Sequence, residues 1–189
     1  RLILSVGLGA AYDTGFARFG EETDRKIRAE KLDEGLAVLT GLWGGQPFAF
    51  EGKHYRVEPT DFMPPPAPVQ QPRIPIWVVG AYPRAKSMRR ALRYDGLLPM
   101  FLDQDGKMLQ STPEQMRRLV NDVWQERGSD APYDVVWEGM TPGADGSAAA
   151  AMVQPWIDAG ITWWIEANWE TRDSSAVLDR IRQGPPVER

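Results

Sequence analysis

The chain has 189 residues, of which 42 % are apolar and 25 % charged, with a net charge of −4 and no cysteine. These values are typical of a globular domain with a sizeable core, and they exclude disulfides and cysteine-based metal or nucleophile sites. The acidic balance disfavours a nucleic-acid partner, and no apolar run reaches the roughly 18 residues of a membrane span, so we expect a cytoplasmic protein without membrane partners.

The first half of the chain predicts a strand, a helix and a hairpin. Residues 1–9, RLILSVGLG, form a continuous apolar run, which indicates a strand covered on both faces. Residues 24–43 place their apolar side chains at helical spacing, and Gly44 and Gly45 follow them. Residues 47–57 predict a β-hairpin, and the proline-rich residues 63–75 predict an extended arm.

The second half predicts four further strand–helix pairs. Their strands are expected at 76–79, 95–100, 133–140 and 161–167, and their helices at 84–93, 112–127, 145–159 and 174–183. Such alternation predicts a parallel α/β sheet, either open and doubly wound or a (β/α)₈ barrel. Five βα units fall short of the eight in a complete barrel.

In parallel α/β folds, ligands bind at the carboxyl ends of the strands. Gly80 follows one predicted strand and precedes a helix, so a glycine turn there would present free N–H groups to an anion. Residues 80–83 are therefore predicted to form a phosphate cradle, with a plain tight turn as the alternative. The Gly7-Leu8-Gly9 turn is not a dinucleotide fingerprint, because Tyr12 stands at its third glycine position.

Other chemistry-bearing residues give weaker signals. His54 is the only histidine, which excludes a histidine metal site, and a satisfied polar role is expected for it. Glu138 and Glu166 could pair as the two carboxylates of a glycoside hydrolase. Trp163 and Trp164 must point to opposite faces of their strand, so either could wall a pocket or pack in the core. No catalytic residue can be assigned.

Several stretches together resemble the luciferase-like flavin-dependent oxidoreductases. They are RLILSVGLG, FARFGEETDRKIRAEKLDEGLAVLTGLWGGQPFAFEGKHYRV, PRIPIWVVGAYP, RRALRYDGLLP, VVWEGMTPG and AGITWWIEANW. The resemblance implies a (β/α)₈ TIM-type barrel with an insertion after strand four. It further implies that residues 1–189 are a single, incomplete domain that holds strands four to eight and lacks the first three βα units.

The resemblance also implies a cofactor and its site. The cofactor would be FMN or the deazaflavin coenzyme F420, used either to reduce a small organic substrate or to activate oxygen for its monooxygenation. The residues expected to hold its phosphate-bearing tail are Val6, Gly7, Leu8, Gly9, Val79, Gly80, Ala81, Tyr82 and Pro83. The residues expected to line the substrate pocket are Trp77, Met100, Glu138, Trp164 and Glu166.

An inactive barrel fragment is the main alternative to an enzyme. Five of eight strands would leave two open sheet edges, which favour self-association. A homo-oligomer is expected in either case.

Overall fold

The computed structural model describes residues 2–9, 15–45, 47–61 and 68–185. The chain divides into two compact units, an amino-terminal unit of Arg1–Val79 and a carboxy-terminal unit of Gly80–Arg189. The single-domain assignment stays a prediction. Residues 63–67 of the predicted proline-rich arm, and Tyr12, lie outside the described residues.

The amino-terminal unit contains one long helix and a hairpin. Its elements are β1 (Leu4–Val6), α1 (Gly15–Arg18), α2 (Arg25–Gly44), β2 (Phe48–Glu51), β3 (Arg56–Thr60) and the start of β4 (Ile76–Tyr82). Asp24 begins α2, because its carboxylate accepts hydrogen bonds from the N–H groups of Lys26 and Ile27, both at 2.9 Å. Strand β1 pairs in parallel with β4, with Val6 opposite Val78.

The predicted hairpin is confirmed, and two glutamates on α2 hold its loop. The Glu34 carboxylate accepts backbone hydrogen bonds from Lys53, His54 and Tyr55 at 2.8, 2.8 and 2.9 Å. Glu30 lies 2.7 Å from Lys53 Nζ and 2.9 Å from His54 Nε2. The hydrogen bonds from Lys53 and then His54 lower the pKa of Glu30 to about 2. The satisfied polar role expected for His54 is confirmed.

Replacing Glu34 with Ala should release the hairpin loop. Three amides lose one shared acceptor, so we expect their hydrogen exchange to rise by about tenfold. Exchange measured by NMR at residues 53–55 tests this. Glu58→Ala is the matched control, since Glu58 is exposed and pairs with the exposed Arg56 at 3.0 Å. Equal exchange rates in the two variants would show that Glu34 does not hold the loop.

The carboxy-terminal unit alternates strands and helices. After the end of β4 it contains α3 (Ala85–Ala91), β5 (Gly96–Phe101), α4 (Pro113–Arg127), β6 (Asp134–Gly139), α5 (Gly146–Asp158), β7 (Trp163–Glu166) and α6 (Ser174–Gln183). The parallel strands follow the order β1-β4-β5-β6-β7. Helix α4 begins with a capping box between Thr112 and Gln115 and ends at Gly128, which has a φ of 54°.

Strand register separates the side chains of this unit onto two faces. Leu97 pairs with Val135, and Trp137 pairs with Trp164, so these four side chains share one face of the sheet. Trp137 stacks on Trp156 of α5 with ring centroids 5.0 Å apart. The face that carries Trp137 is therefore the one that the helix covers, and we call it the helix face.

Aromatic rings extend along the helix face. Phe101 contacts Trp137 edge-to-face at 5.9 Å and Tyr82 at 5.7 Å. The Tyr82 hydroxyl donates to Asp122 of α4 at 2.6 Å. That hydrogen bond, together with partial burial, raises the pKa of Tyr82 to about 12.

Alternating parallel strands and helices confirm the predicted α/β class. The short helix α1 was not expected from the sequence, and β1 is shorter than the predicted strand. Strand β4 runs to Tyr82 rather than ending at Val79. Within the described ranges, no helix is long and apolar enough to cross a membrane.

Candidate functional site

The loop after β1 packs against a buried arginine. Gly9 has a φ of 68°, and a Cβ there would lie 2.7 Å from Phe16 Cζ and 3.0 Å from Arg28 Nη2. A Cβ on Gly7 would meet Val79 Cγ2 at 3.0 Å. A side chain at Gly9 is disfavoured by its left-handed backbone, and a Cβ at Gly7 would require Val79 to shift by a few tenths of an ångström.

Arg28 is a cation with an unsatisfied donor. It is only 8 % exposed, and its guanidinium lies 4.1 Å from the centre of the Phe16 ring. Its Nη2 is buried and donates to no acceptor in the described part of the chain. A buried donor without an acceptor is costly, and an anion would satisfy it. The carboxyl end of β1 thus has the chemistry of a phosphate site.

Arg28 was not among the residues selected from the sequence. One signal could have found it: Arg28 lies one helical turn before Leu32 and two before Leu36, on the apolar stripe of α2. Arg28 and Leu36 are the two buried residues of that helix. A charged residue within an apolar stripe is seldom buried without a partner or a ligand.

The predicted glycine turn at Gly80 is wrong. Gly80 is buried inside β4, and a Cβ there would overlap Leu97 Cδ1 and approach Met88 Sδ to 3.0 Å. Ala91 of α3 lies 3.5 Å from the same point. Gly80 is thus needed because α3 and β5 pack closely on β4. In the sequence, a glycine required by close packing cannot be told from a glycine required by a turn.

Two of the four residues in the proposed cradle at 80–83 offer no free amide. The Ala81 N–H donates to Ser87 Oγ at 2.9 Å, and Pro83 has no N–H. Helix α3 has seven residues, and no side chain caps its amino end. Contact of residues 79–83 with a cofactor stays a prediction: Val79, Gly80, Ala81, Tyr82 and Pro83.

A cavity of about 530 Å³ lies at the carboxyl ends of β6 and β7. Its lining combines apolar side chains with one polar cluster, and comprises Met140, Thr141, Trp164, Glu166, Asn168, Thr171, Ala176, Val177, Arg180, Ile181, Gly184 and Pro185. Two of the predicted pocket residues, Trp164 and Glu166, therefore lie together in this cavity. They share the helix face, because they are two residues apart on β7.

The polar cluster is centred on Glu166. Its carboxylate accepts from the Thr141 N–H at 2.6 Å and the Thr141 hydroxyl at 2.8 Å. It also accepts from Trp164 Nε1 at 3.3 Å and pairs with Arg180 Nη2 at 3.1 Å. Desolvation opposes ionisation, but the hydrogen bonds from Thr141, Arg180 and Trp164 outweigh it and lower the pKa of Glu166. The cluster is ionised and internally neutral.

Glu138 and Met100 lie on the other face of the sheet. Glu138 pairs with Ile165, whereas Glu166 pairs with Gly139, so the two carboxylates point to opposite faces. The paired-carboxylate arrangement of a glycoside hydrolase is therefore not formed. Trp169 Nε1 donates to Glu138 at 3.2 Å.

The remaining residue predicted to line the substrate pocket is Trp77. Trp77, in the amino-terminal unit, is buried at 4 % exposure. Its contact with a substrate stays a prediction. Among the described residues, no three histidine, aspartate or glutamate side chains gather as metal ligands.

Comparison with known proteins matches the chain to one family model, to a curated relative and to solved structures. The model of the family described as luciferase-like monooxygenase matches residues 1–182. The F420-dependent glucose-6-phosphate dehydrogenase 1 of Rhodococcus jostii (strain RHA1) is 24 % identical over 212 residues, covering 85 % of this chain and 62 % of the relative. The crystal structure of monooxygenase RslO1 from Streptomyces bottropensis has a TM-score of 0.52 at 19 % identity, covering 97 % of this chain and 52 % of that one.

The chain thus spans between half and two thirds of the length of these two proteins. The structural likeness supports the predicted barrel-type α/β fold, and the family model extends across both compact units. The chain belongs to the luciferase-like monooxygenase family.

Proposed function

We propose that this chain forms part of an oxidoreductase that uses FMN or the deazaflavin coenzyme F420 on a small organic substrate. The observation that carries the proposal is the buried Arg28 guanidinium beside Gly9, with a donor that has no acceptor in the described part of the chain. Both cofactors carry phosphate, and the relative from Rhodococcus is named as F420-dependent.

The amino-terminal unit offers what a phosphate group needs. Guanidinium donors match the geometry of phosphate oxygens and keep their charge at every accessible pH. Gly9 lets the loop backbone pack close to Nη2, since a Cβ there would lie 3.0 Å from it. Val6, Gly7 and Leu8 would place the backbone along the same ligand.

The protein's share of the chemistry is binding and orientation. A bound flavin or deazaflavin ring would supply hydride transfer or oxygen activation. Arg28 would fix the phosphate end, and the apolar strands would limit water around the rest. The proposed partners of the chain are a small organic substrate and a second copy of the chain.

Arg28→Met tests the assignment. Met keeps the length and helix propensity of the side chain but removes the charge, so we expect cofactor affinity to fall by about tenfold. FMN and F420 are titrated separately, with binding followed by the change in cofactor fluorescence. Arg25→Met is the matched control, because Arg25 is exposed at the first turn of the same helix.

Thermal unfolding separates loss of binding from loss of fold. Inorganic phosphate should raise the Tm of the unaltered chain and of Arg25→Met, but not of Arg28→Met. Equal cofactor affinity in both variants would overturn the assignment. So would an unaltered chain that binds neither cofactor and only self-associates.

A further inference from the structure

The cavity beside β7 lies on a different face of the sheet from Glu138. Trp164 and Glu166 project from the helix face of the sheet, and Val177, Arg180 and Ile181 approach from α6. All of its lining belongs to the carboxy-terminal unit. Its volume of about 530 Å³ falls within the roughly 300–1,000 Å³ of small-molecule sites.

One wall is a fixed aromatic ring. Trp164 Nε1 donates to Glu166 at 3.3 Å, which holds the polar edge of the indole. At the other edge the ring lies over Gly139, where a Cβ would come within 2.6 Å of Trp164 Cη2. A ring restrained at both edges offers a preorganised surface, which lowers the entropic cost of binding an apolar ligand.

The floor carries no net charge. Arg180 Nη2 contacts both Glu166 and the Thr141 hydroxyl, at 3.1 and 2.8 Å, and Arg180 Nη1 donates to the Gly184 carbonyl at 2.6 Å. A charged ligand would be desolvated there without a counter-ion of its own, since the pair already neutralises itself. Arg180 Nε is also buried and donates to no acceptor among the described residues, so the floor favours an uncharged ligand that brings an acceptor.

The rim provides a hydrogen-bond donor and apolar contacts. Asn168 Oδ1 accepts from the N–H groups of Glu170 and Thr171 at 3.2 and 3.1 Å, which orients its amide. Its Nδ2 donates to no acceptor within the described ranges. Val177 and Ile181 are 43 % and 69 % exposed at the same rim, where a ligand would cover them.

We propose that this cavity is a second small-molecule site, which binds an uncharged aromatic molecule with a carbonyl or similar acceptor. The indole of Trp164 would pack against the aromatic body, and Asn168 would donate to the acceptor. The site is distinct from the proposed cofactor site and does not require it.

The probe is 6-propionyl-2-(dimethylamino)naphthalene, an uncharged naphthalene ketone whose emission shifts to the blue in apolar surroundings. We expect saturable binding of one probe per chain. Val177→Trp should fill the cavity and weaken binding by about tenfold, and Ile181→Trp should act in the same direction. Leu178→Trp is the matched control, because Leu178 is 46 % exposed on the same helix but does not line the cavity.

Charge preference is tested by competition between two ligands of equal size. 2-Acetylnaphthalene should displace the probe about tenfold more effectively than 2-naphthoate, since only the latter brings an unpaired charge. Equal competition would overturn the preference for uncharged ligands.

Two results would overturn the site itself. One is equal probe affinity in Val177→Trp, Ile181→Trp and Leu178→Trp. The other is a change of oligomeric state in sedimentation when Val177 or Ile181 is replaced, which would identify a second copy of the chain as the occupant.

Discussion

Replacing Gly80 with Asp is expected to unfold the carboxy-terminal unit. The new side chain would overlap Leu97 Cδ1 and approach Met88 Sδ, and it would bury a carboxylate among apolar atoms. Gly80→Ala adds only the Cβ and should lower the free energy of unfolding by about 1–3 kcal/mol. Urea denaturation followed by circular dichroism measures both variants.

Gly44→Ala is the control for adding a methyl group to a glycine. A Cβ at Gly44 meets nothing within 4 Å, so the free energy of unfolding should stay unchanged or rise by up to about 1 kcal/mol. A Gly80→Ala variant with full stability but no affinity for FMN and F420 would contradict the packing role. It would instead support the original prediction that Gly80 touches the cofactor.

Arg180→Met should be the most damaging change on α6. It leaves the ionised Glu166 without its cation and removes the hydrogen bonds to Thr141 and Gly184. The two side chains are 22 % and 26 % exposed, so we expect a loss of about 2 kcal/mol in the free energy of unfolding, below the range of fully buried pairs.

Arg182→Met is its matched control, because Arg182 pairs with Asp179 on the same helix but both are about two thirds exposed, at 68 % and 66 %. Such pairs contribute little, and the expected loss is below about 0.5 kcal/mol. Equal losses in the two variants would show that the Glu166 cluster does not stabilise the unit.

Acid should reduce the difference in the free energy of unfolding between the unaltered chain and Arg180→Met. The folded pKa of Glu166 lies below its ordinary value of 4.5, so its ionised form stabilises the fold above about pH 4.5. That stabilisation is lost as the pH falls through the folded pKa. The variant lacks the cation that lowers this pKa, so its stability should fall less between pH 5 and pH 3.

Local signals in the sequence predicted most helices well. Helix α4 begins at Pro113 after Thr112 and ends before Gly128, as the capping and glycine rules require. These signals are reliable because a helix end must satisfy its own backbone groups with nearby residues.

Tertiary packing explains what the sequence did not predict. A glycine is equally necessary in a turn and where a helix packs closely on a strand, so the role of Gly80 depended on Leu97 and Met88. Arg28 lies on the apolar stripe of α2, but its contacts with Phe16 and with the loop at Gly9 depend on how the chain folds. Glu138 and Glu166 point to opposite faces of the sheet because of the pairing register of β6 and β7.

The stacked rings of Trp137 and Trp156 should give the carboxy-terminal unit a distinct spectroscopic signal. Two indoles 5.0 Å apart and 22° from parallel couple their electronic transitions, which adds an exciton band to the circular dichroism spectrum. One ring belongs to β6 and the other to α5, so the band reports whether that helix is docked. It allows loosening of α5 to be followed separately from the loss of helix content.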